Sequence, residues 1–319
     1  MHLYLNKDVR LFTVLVIILF AGITLTGVKE SSVVAMCLIT LHMAVLSVLV
    51  VWGLARGIDN NFELFLENMH TPLPDIVSTS GAILSQGNVV GTIFFGYCTA
   101  LLGITGFESA ANFVEEMEHP SVFVGTVNYM WLAVGFFNPA LCLTSLMVLP
   151  LETISTSTGE MLALMADALG GKSFGYLVAA DAVLILCGAV LTSYIGVSNL
   201  MIRMSKDKLL PRFLASVASN GSPYMSVISF CVGCIVLFLV IFDPTNPSAI
   251  NEFGSVYSMA FLSVLSAFAL AAVLLKTYRG NLARLVITKW WQVYMSFICV
   301  FLGLLGKFIT LLLLILLFL

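Results

Sequence analysis

The stretch that decides the fold runs from Leu101 to Pro120 and reads LLGITGFESAANFVEEMEHP. It begins inside an apolar segment long enough to cross a bilayer, but Gly103 and Gly106 interrupt that segment and the carboxylate of Glu108 follows them. Irregular backbone at membrane depth survives only where protein or a water-filled cavity surrounds it. The pattern therefore predicts a membrane helix over residues 88–117 that opens between the two glycines.

A helix that opens at this point would create a binding site for a zwitterion. Its first half would end in carbonyl groups that attract an ammonium group, and its second half would begin with N–H groups that carry partial positive charge. An acidic side chain such as Glu108 costs about 2.5–3.5 kcal/mol near the bilayer centre and is normally retained for function. The alternative is that both glycines serve helix packing and that Glu108 faces a neighbouring helix.

Composition places the chain among membrane proteins that cross the bilayer several times. Of the 319 residues 60% are hydrophobic and 10% are charged, whereas soluble domains carry about 25% charged residues. The net charge of −3 and the lack of a basic run argue against a nucleic-acid partner. The seven cysteines lie in apolar segments and are interpreted as small hydrophobic residues. Cys231 and Cys234 are assigned to packing, with redox or metal chemistry as the alternative.

Segments of about 20 apolar residues, the length that a bilayer crossing requires, predict an all-α membrane protein with about eight to nine transmembrane helices. Short helices are expected in the polar stretches, at Phe62–Met69 and at 158–169. A hairpin around Lys307 is expected to end the eighth span. The predicted spans are Leu11–Thr26, Ser32–Leu54, Asn88–Met117, Val124–Leu149, Phe174–Met201, Met225–Phe242, Val256–Leu275 and Trp290–Leu305, with Phe308–Leu319 starting a ninth.

Three motifs occur in a fixed order along the chain. The first is the turn Gly27-Val28-Lys29-Glu30-Ser31, and the second is Gly106-Phe107-Glu108-Ser109, followed by Glu115-Glu116 and Pro120. The third is the loop from Met204 to Pro211. Together they resemble the amino acid permeases of the amino acid/polyamine/organocation superfamily. The resemblance is to that family's turn between helices four and five, its sixth helix, and its loop after helix eight.

The resemblance implies the five-plus-five inverted-repeat transporter fold, in which one bundle rocks against a scaffold around a midplane site. We expect a single transmembrane permease domain over residues 1–319 that holds part of this fold. Residues 1–54 would be helices four and five of the first repeat, 88–275 helices six to ten, and 290–319 helix eleven with the start of helix twelve. The chain would then lack helices one to three and be shortened at its C-terminus.

The resemblance also implies a substrate site at the break. Backbone carbonyls around Leu102–Thr105 would hold the amino group of the substrate, and Glu108 would be a polar, protonatable partner. The implied substrate-binding residues are Leu102, Gly103, Ile104, Thr105, Gly106, Phe107, Glu108 and Ser109.

His42 falls where proton-coupled members of this family often carry a lysine in helix five. Histidine titrates near neutral pH, so His42 is a candidate for the coupling proton, and a neutral histidine hydrogen-bonded across the bundle is the alternative. Thr192 and Ser193 are expected to face His42, as helix-eight hydroxyls line the sodium position in sodium-coupled relatives, with packing by small residues as the alternative. Asp181 is expected near the end of the same helix, at the membrane interface and not as a ligand.

The sequence therefore predicts a secondary active transporter of amino acids or polyamines that works by alternating access as a symporter or antiporter. Protons are favoured over sodium as the coupling ion, and no enzyme activity, cofactor or metal is expected. The partners would be the lipid bilayer and a small-molecule substrate, in the plasma membrane in preference to an internal membrane. The alternatives are a truncated paralogue that acts as a subunit or sensor without transporting, and an incomplete gene model.

Overall fold

The computed structural model describes residues 2–27, 32–72, 75–77, 83–114, 117–157, 159–241, 249–282 and 287–318. Most of these residues are helical, as the apolar segments predict, and a short antiparallel pair joins β1 (Ile76–Val77) to β2 (Ile83–Ser85). The α-helices are α1 His2–Leu25, α2 Ser32–Asp59, α3 Glu63–His70, α4 Val89–Ala100, α5 Phe107–Asn112, α6 Pro120–Val148, α7 Leu151–Thr156, α8 Met161–Gly170, α9 Lys172–Lys206, α10 Tyr224–Ile241, α11 Ala249–Tyr278 and α12 Trp290–Phe318.

Within the described part of the chain, six helical segments are long and apolar enough to cross a membrane. The chain is thus an all-α, multi-pass membrane protein. Two further predicted spans fall on shorter apolar helices, Arg10–Leu25 and Tyr224–Val240. The six longer segments are Val33–Asp59, Val89–Ala111, Ser121–Val148, Lys172–Lys206, Phe253–Tyr278 and Trp290–Ile309.

The short helices expected at Phe62–Met69 and 158–169 are confirmed as α3 and α8, within one to three residues at each end. The hairpin expected at Lys307 is wrong, because α12 continues without a turn from Trp290 to Phe318. A lysine is a good helix former and does not by itself end a helix. The long apolar run on either side of it therefore stays helical.

The helices form two compact units. The break unit comprises Met1–Arg10, Pro72–Val127 and Val236–Leu319. The core unit comprises Leu11–Thr71 and Asn128–Ile235.

Two apolar clusters hold the core unit together. The larger one joins α2, α6, α8 and α9 around Leu49 and Met165, whose side chains are fully buried. The second one packs Ala21 of α1 against Tyr194 and Val227, and it includes Cys231, in agreement with the packing role predicted for that cysteine. Close contact between α2 and α6 depends on glycine: a Cβ at Gly53 would lie 2.9 Å from the Thr144 Cβ, and one at Gly57 would lie 2.8 Å from the Met147 Sδ.

Asn68 attaches the short helix α3 to the end of α6. Its side-chain amide donates hydrogen bonds to the carbonyl oxygens of Leu146 (2.8 Å) and Leu149 (3.0 Å). Its side-chain oxygen accepts one from the backbone N–H of Leu151 at 2.9 Å. Since the last carbonyls of a helix lack partners within the helix, this buried asparagine caps α6 and fixes the start of α7.

Candidate functional site

The helix predicted to open at the two glycines is broken at that place. α4 ends at Ala100, a 3-10 turn covers Leu101–Ile104, and α5 begins at Phe107. Between them Thr105 is extended, with ψ 151°, and Gly106 has φ 105°. The two halves of the membrane segment are therefore separated by two residues whose backbone conformations are not helical.

The break follows from the residues that form it. A φ of 105° is disfavoured for side chains with a Cβ, so position 106 requires glycine. Thr105 is β-branched and adopts extended backbone readily. Gly103 lies inside the 3-10 turn. Of the two glycines that predicted the break, Gly106 is thus the one whose backbone conformation depends on having no side chain.

The break changes the backbone hydrogen bonds of the segment. The N–H of Leu101 donates to the carbonyls of Tyr97 and Thr99, and the N–H of Thr105 donates to Leu102 at 3.3 Å. Regular bonding resumes where the N–H of Ala110 donates to the carbonyl of Gly106 at 3.1 Å. The tightened turn and the extended residue therefore interrupt the regular bonding between residues four apart along this segment.

All eight predicted substrate-site residues lie in this one continuous segment. The 3-10 turn holds three of them, Thr105 and Gly106 form the junction, and the other three begin α5. Glu108 is the second residue of α5 in the backbone trace. Glu115 and Glu116, which belong to the same motif, lie outside the described residues.

Helix α12 supports α4 just before the break. The Tyr97 hydroxyl donates a 2.8 Å hydrogen bond to the carbonyl of Cys299, and the Cys98 thiol lies 3.8 Å from the carbonyl of Leu302. Two glycines of α12 permit this approach. A Cβ at Gly303 would overlap the side chain of Leu101, and one at Gly306 would overlap that of Cys98.

In the core unit, His42 of α2 pairs with Asp181 of α9. The imidazole Nδ1 lies 2.7 Å from the carboxylate Oδ2, and Asp181 is only 5% exposed. The rings of Trp52 and Phe174 pack in a tilted arrangement with centroids 5.5 Å apart. Trp52 is ten residues along α2 from His42, and Phe174 is seven residues along α9 from Asp181. At 1.5 Å per residue the pair therefore lies about 10–15 Å along the helices from that aromatic contact.

The contact with His42 corrects the prediction that Asp181 has no ligand or partner role, while its predicted place near the end of this helix, at the membrane interface, stays a prediction. A lone buried carboxylate would be costly, and a histidine at hydrogen-bond distance offsets part of the cost. Val45 and Leu46, on the same helical face as His42, belong to the larger apolar cluster. The pair thus borders the apolar core of its unit.

A family model described as amino acid permease matches residues 4–319. The chain belongs to the amino acid permease family. The permease is therefore a transporter of amino acids that resides in a lipid bilayer, and membership of this family points away from an enzyme. The motif Gly106–Ser109, which carries part of the resemblance to this family, coincides with the restart of the broken helix.

The permease does not bring Thr192 and Ser193 to His42. They follow Asp181 by eleven and twelve residues on α9, or about 16–18 Å along the helix axis. The Ser193 hydroxyl donates to the carbonyl of Ala189 at 2.8 Å. The expectation that these hydroxyls face His42 is therefore wrong, because the register between α2 and α9 places Asp181 there.

Sequence reasoning missed two features of ionisable residues in membrane spans: that Asp181 is the partner of His42, and that Lys307 lies inside the continuous helix α12. Both carried a signal in the sequence, since an ionisable residue within an apolar span suggests function by default. The signal marks the residue but does not identify its partner.

Proposed function

We propose that the permease is a secondary active transporter that binds its amino acid at the broken helix of the break unit and works by alternating access. The extended Thr105 and the glycine-dependent turn at Gly106 carry this proposal. The carbonyls of Leu102–Thr105 would accept hydrogen bonds from the substrate's ammonium group. Glu108, two residues beyond Gly106, would be the protonatable partner of that site.

We further propose that protons drive transport through the His42–Asp181 pair. With a neutral imidazole the pair carries one buried negative charge, whereas with an added proton it becomes a neutral ion pair. Uptake of a proton would thus remove a buried net charge, which is a large energetic change in a low-dielectric environment. Asp167 of α8 lies beside Gly175, about 9 Å along α9 from Asp181, and adds a second carboxylate on the helices that surround the pair.

The separation of the helix-nine hydroxyls from this pair favours protons over sodium. A sodium site needs several oxygen ligands at one place. Thr192 and Ser193 lie about 16–18 Å along α9 from Asp181, so they do not complete an oxygen cage around it.

The proposal is tested with the purified chain in liposomes. Uptake of radiolabelled L-alanine, L-leucine and L-phenylalanine is measured under an imposed pH gradient and, separately, under a sodium gradient. We expect the pH gradient to drive accumulation of at least one of the three. Accumulation that follows the sodium gradient and ignores pH would overturn proton coupling. A lack of uptake and of counterflow for every probe would favour the reading of the chain as a subunit or sensor.

Two variants test the assigned residues in the same assay. His42→Gln should flatten the dependence of uptake on pH, and Glu108→Gln should lower uptake at least about tenfold, because each removes a group that the proposed mechanism protonates. His70→Gln and Glu67→Gln, at exposed positions of α3, are the matched controls. An unaltered pH profile in His42→Gln would return this residue to a packing role. The plasma membrane as the location stays a prediction.

A further inference from the structure

Lys307 lies inside a membrane span of the break unit. It follows Trp290 by 17 residues and precedes Phe318 by 11, so about 25 Å and 17 Å of α12 extend on its two sides. The residue is half-buried. An ammonium group at such a position is expensive and marks a functional site by default.

The contacts between α4 and α12 set the level of Lys307 relative to the break. Gly306 lies against Cys98 and Gly303 against Leu101, so the two helices run antiparallel. Lys307 is therefore level with Cys98, one turn before the 3-10 turn begins. A helical side chain leans toward the N-terminus of its own helix, which here means toward the level of Leu101 and the break.

Ser258 of α11 lies at the same level as Lys307, as two contacts between α11 and α12 show. The ammonium group of Lys276 lies 4.7 Å from the Trp290 ring centroid, and a Cβ at Gly303 would lie 3.6 Å from Leu262, so α11 and α12 are also antiparallel. Both contacts fit the same antiparallel alignment of the two helices. Ser258 lies four residues before Leu262, and Lys307 lies four residues after Gly303, so these two residues are level with each other.

Ser258 is an exception among the serines of α11. It is fully buried, and among the described residues its hydroxyl has no hydrogen-bond partner. Ser263 and Ser266 on the same helix donate to carbonyls four residues back, at 2.7 and 2.8 Å. An unpaired buried hydroxyl costs free energy and calls for an explanation, such as a role in binding.

We propose that Lys307, with Ser258 as a second donor, binds the carboxylate of an α-amino acid whose amino group lies at the broken helix. This inference rests on the proposed substrate site at Leu102–Thr105. An ammonium group and a hydroxyl are donors suited to a carboxylate, and a hydrogen bond between charged groups is stronger than a neutral one. The same positive charge repels amines and polyamines. The site thus selects amino acids over polyamines.

The test compares each amino acid with the amine that lacks its carboxylate. Purified protein in liposomes takes up L-alanine, L-leucine or L-phenylalanine in competition with ethylamine, 3-methylbutylamine or phenethylamine, respectively. We expect the wild type to prefer the amino acid by at least about a hundredfold. Lys307→Met should reduce this preference at least about tenfold, Lys307→Arg should keep most of it, and Ser258→Ala should reduce it several-fold. Lys289→Met, at the exposed start of α12, is the matched control.

The outcomes separate this inference from the proposed function. Uptake of amino acids with an unchanged preference in Lys307→Met would show that Lys307 only extends its charge toward the membrane surface, and would overturn the inference alone. So would a wild type that accepts the amines equally. If no probe is bound or taken up, the proposed function and the inference both fail. Should Lys307→Met not fold, Lys307→Gln and Ser258→Ala decide, and an unchanged preference in both overturns the inference.

Discussion

The two units differ in how they hold ionisable and polar side chains inside membrane spans. In the core unit Asp181 is 5% exposed and lies 2.7 Å from His42. In the break unit Lys307 is half-buried, and the hydroxyl of Ser258, fully buried at the same level, has no partner among the described residues. The core unit therefore pairs its buried ionisable groups with each other, although its buried Ser198 hydroxyl, like that of Ser258, has no hydrogen-bond partner among the described residues. The break unit holds a lysine and an unpaired hydroxyl on helices next to the interrupted helix.

In both units glycines allow two helices to pack closely, but the helices at the two contacts differ in regularity. Gly53 and Gly57 let α2 approach α6, and the helices stay regular there. Gly303 and Gly306 let α12 approach α4 at the place where the chain leaves the α-helix. The same device thus strengthens packing in one unit and supports an irregular backbone in the other.

The largest loss of stability is expected when the His42–Asp181 pair of the core unit is broken. His42→Leu leaves Asp181 buried without its partner and should lower the free energy of unfolding by about 3–5 kcal/mol. The double variant His42→Leu/Asp181→Leu should recover most of this loss, because an apolar pair of similar volume replaces both groups. Thermal unfolding of the purified protein in detergent measures both, with His70→Leu as the exposed control. A double variant no more stable than His42→Leu would contradict the pairing.

A smaller loss is expected from Asn68→Leu, which also acts on the core unit. The change leaves the carbonyls of Leu146 and Leu149 and the N–H of Leu151 without their side-chain partner, at a cost of about 2–3 kcal/mol. Unfolding in urea and detergent measures the difference. Asn60→Leu, at an exposed position, should stay within about 0.5 kcal/mol of the wild type. Equal effects of the two would argue that Asn68 does not cap α6.

In the break unit, Gly306→Leu should cost about 2 kcal/mol, because the new side chain would displace Cys98 and Phe94 of α4. Since α4 leads directly into the break, we also expect amino acid uptake to fall. Gly254→Leu on α11 has no atom within 4 Å of its Cβ position and is the matched control. If the two variants unfold at the same temperature, close packing of α12 on α4 does not support the break.

The smallest change in stability is expected from a substitution at the break itself. Gly106→Ala introduces a Cβ at φ 105° and should destabilise by about 1–2 kcal/mol. Gly96→Ala in α4, where a Cβ meets no atom within 4 Å, should instead stabilise the helix by up to about 1 kcal/mol. Opposite signs in thermal unfolding confirm that the break depends on one backbone conformation. Equal signs would contradict it.

The sequence by itself determined the class of protein, the apolar segments and the place of the break. These features are local: a bilayer crossing requires about 20 apolar residues, and a position with φ 105° requires glycine. The family motifs around Gly106 are local in the same sense. Each can be recognised without knowing which helices touch.

Only the tertiary structure decided which polar residues meet. His42 and Asp181 are 139 residues apart, and sequence reasoning favoured Thr192 and Ser193 over Asp181 as the residues facing His42 until the register of α2 against α9 was known. Lys307 was read as a turn because a charge interrupted an apolar run, and the continuous helix placed it level with Cys98 and Ser258. Helix rotation and register follow from packing along the whole length of both partners. For that reason the span of a helix was predictable, while its contacts were not.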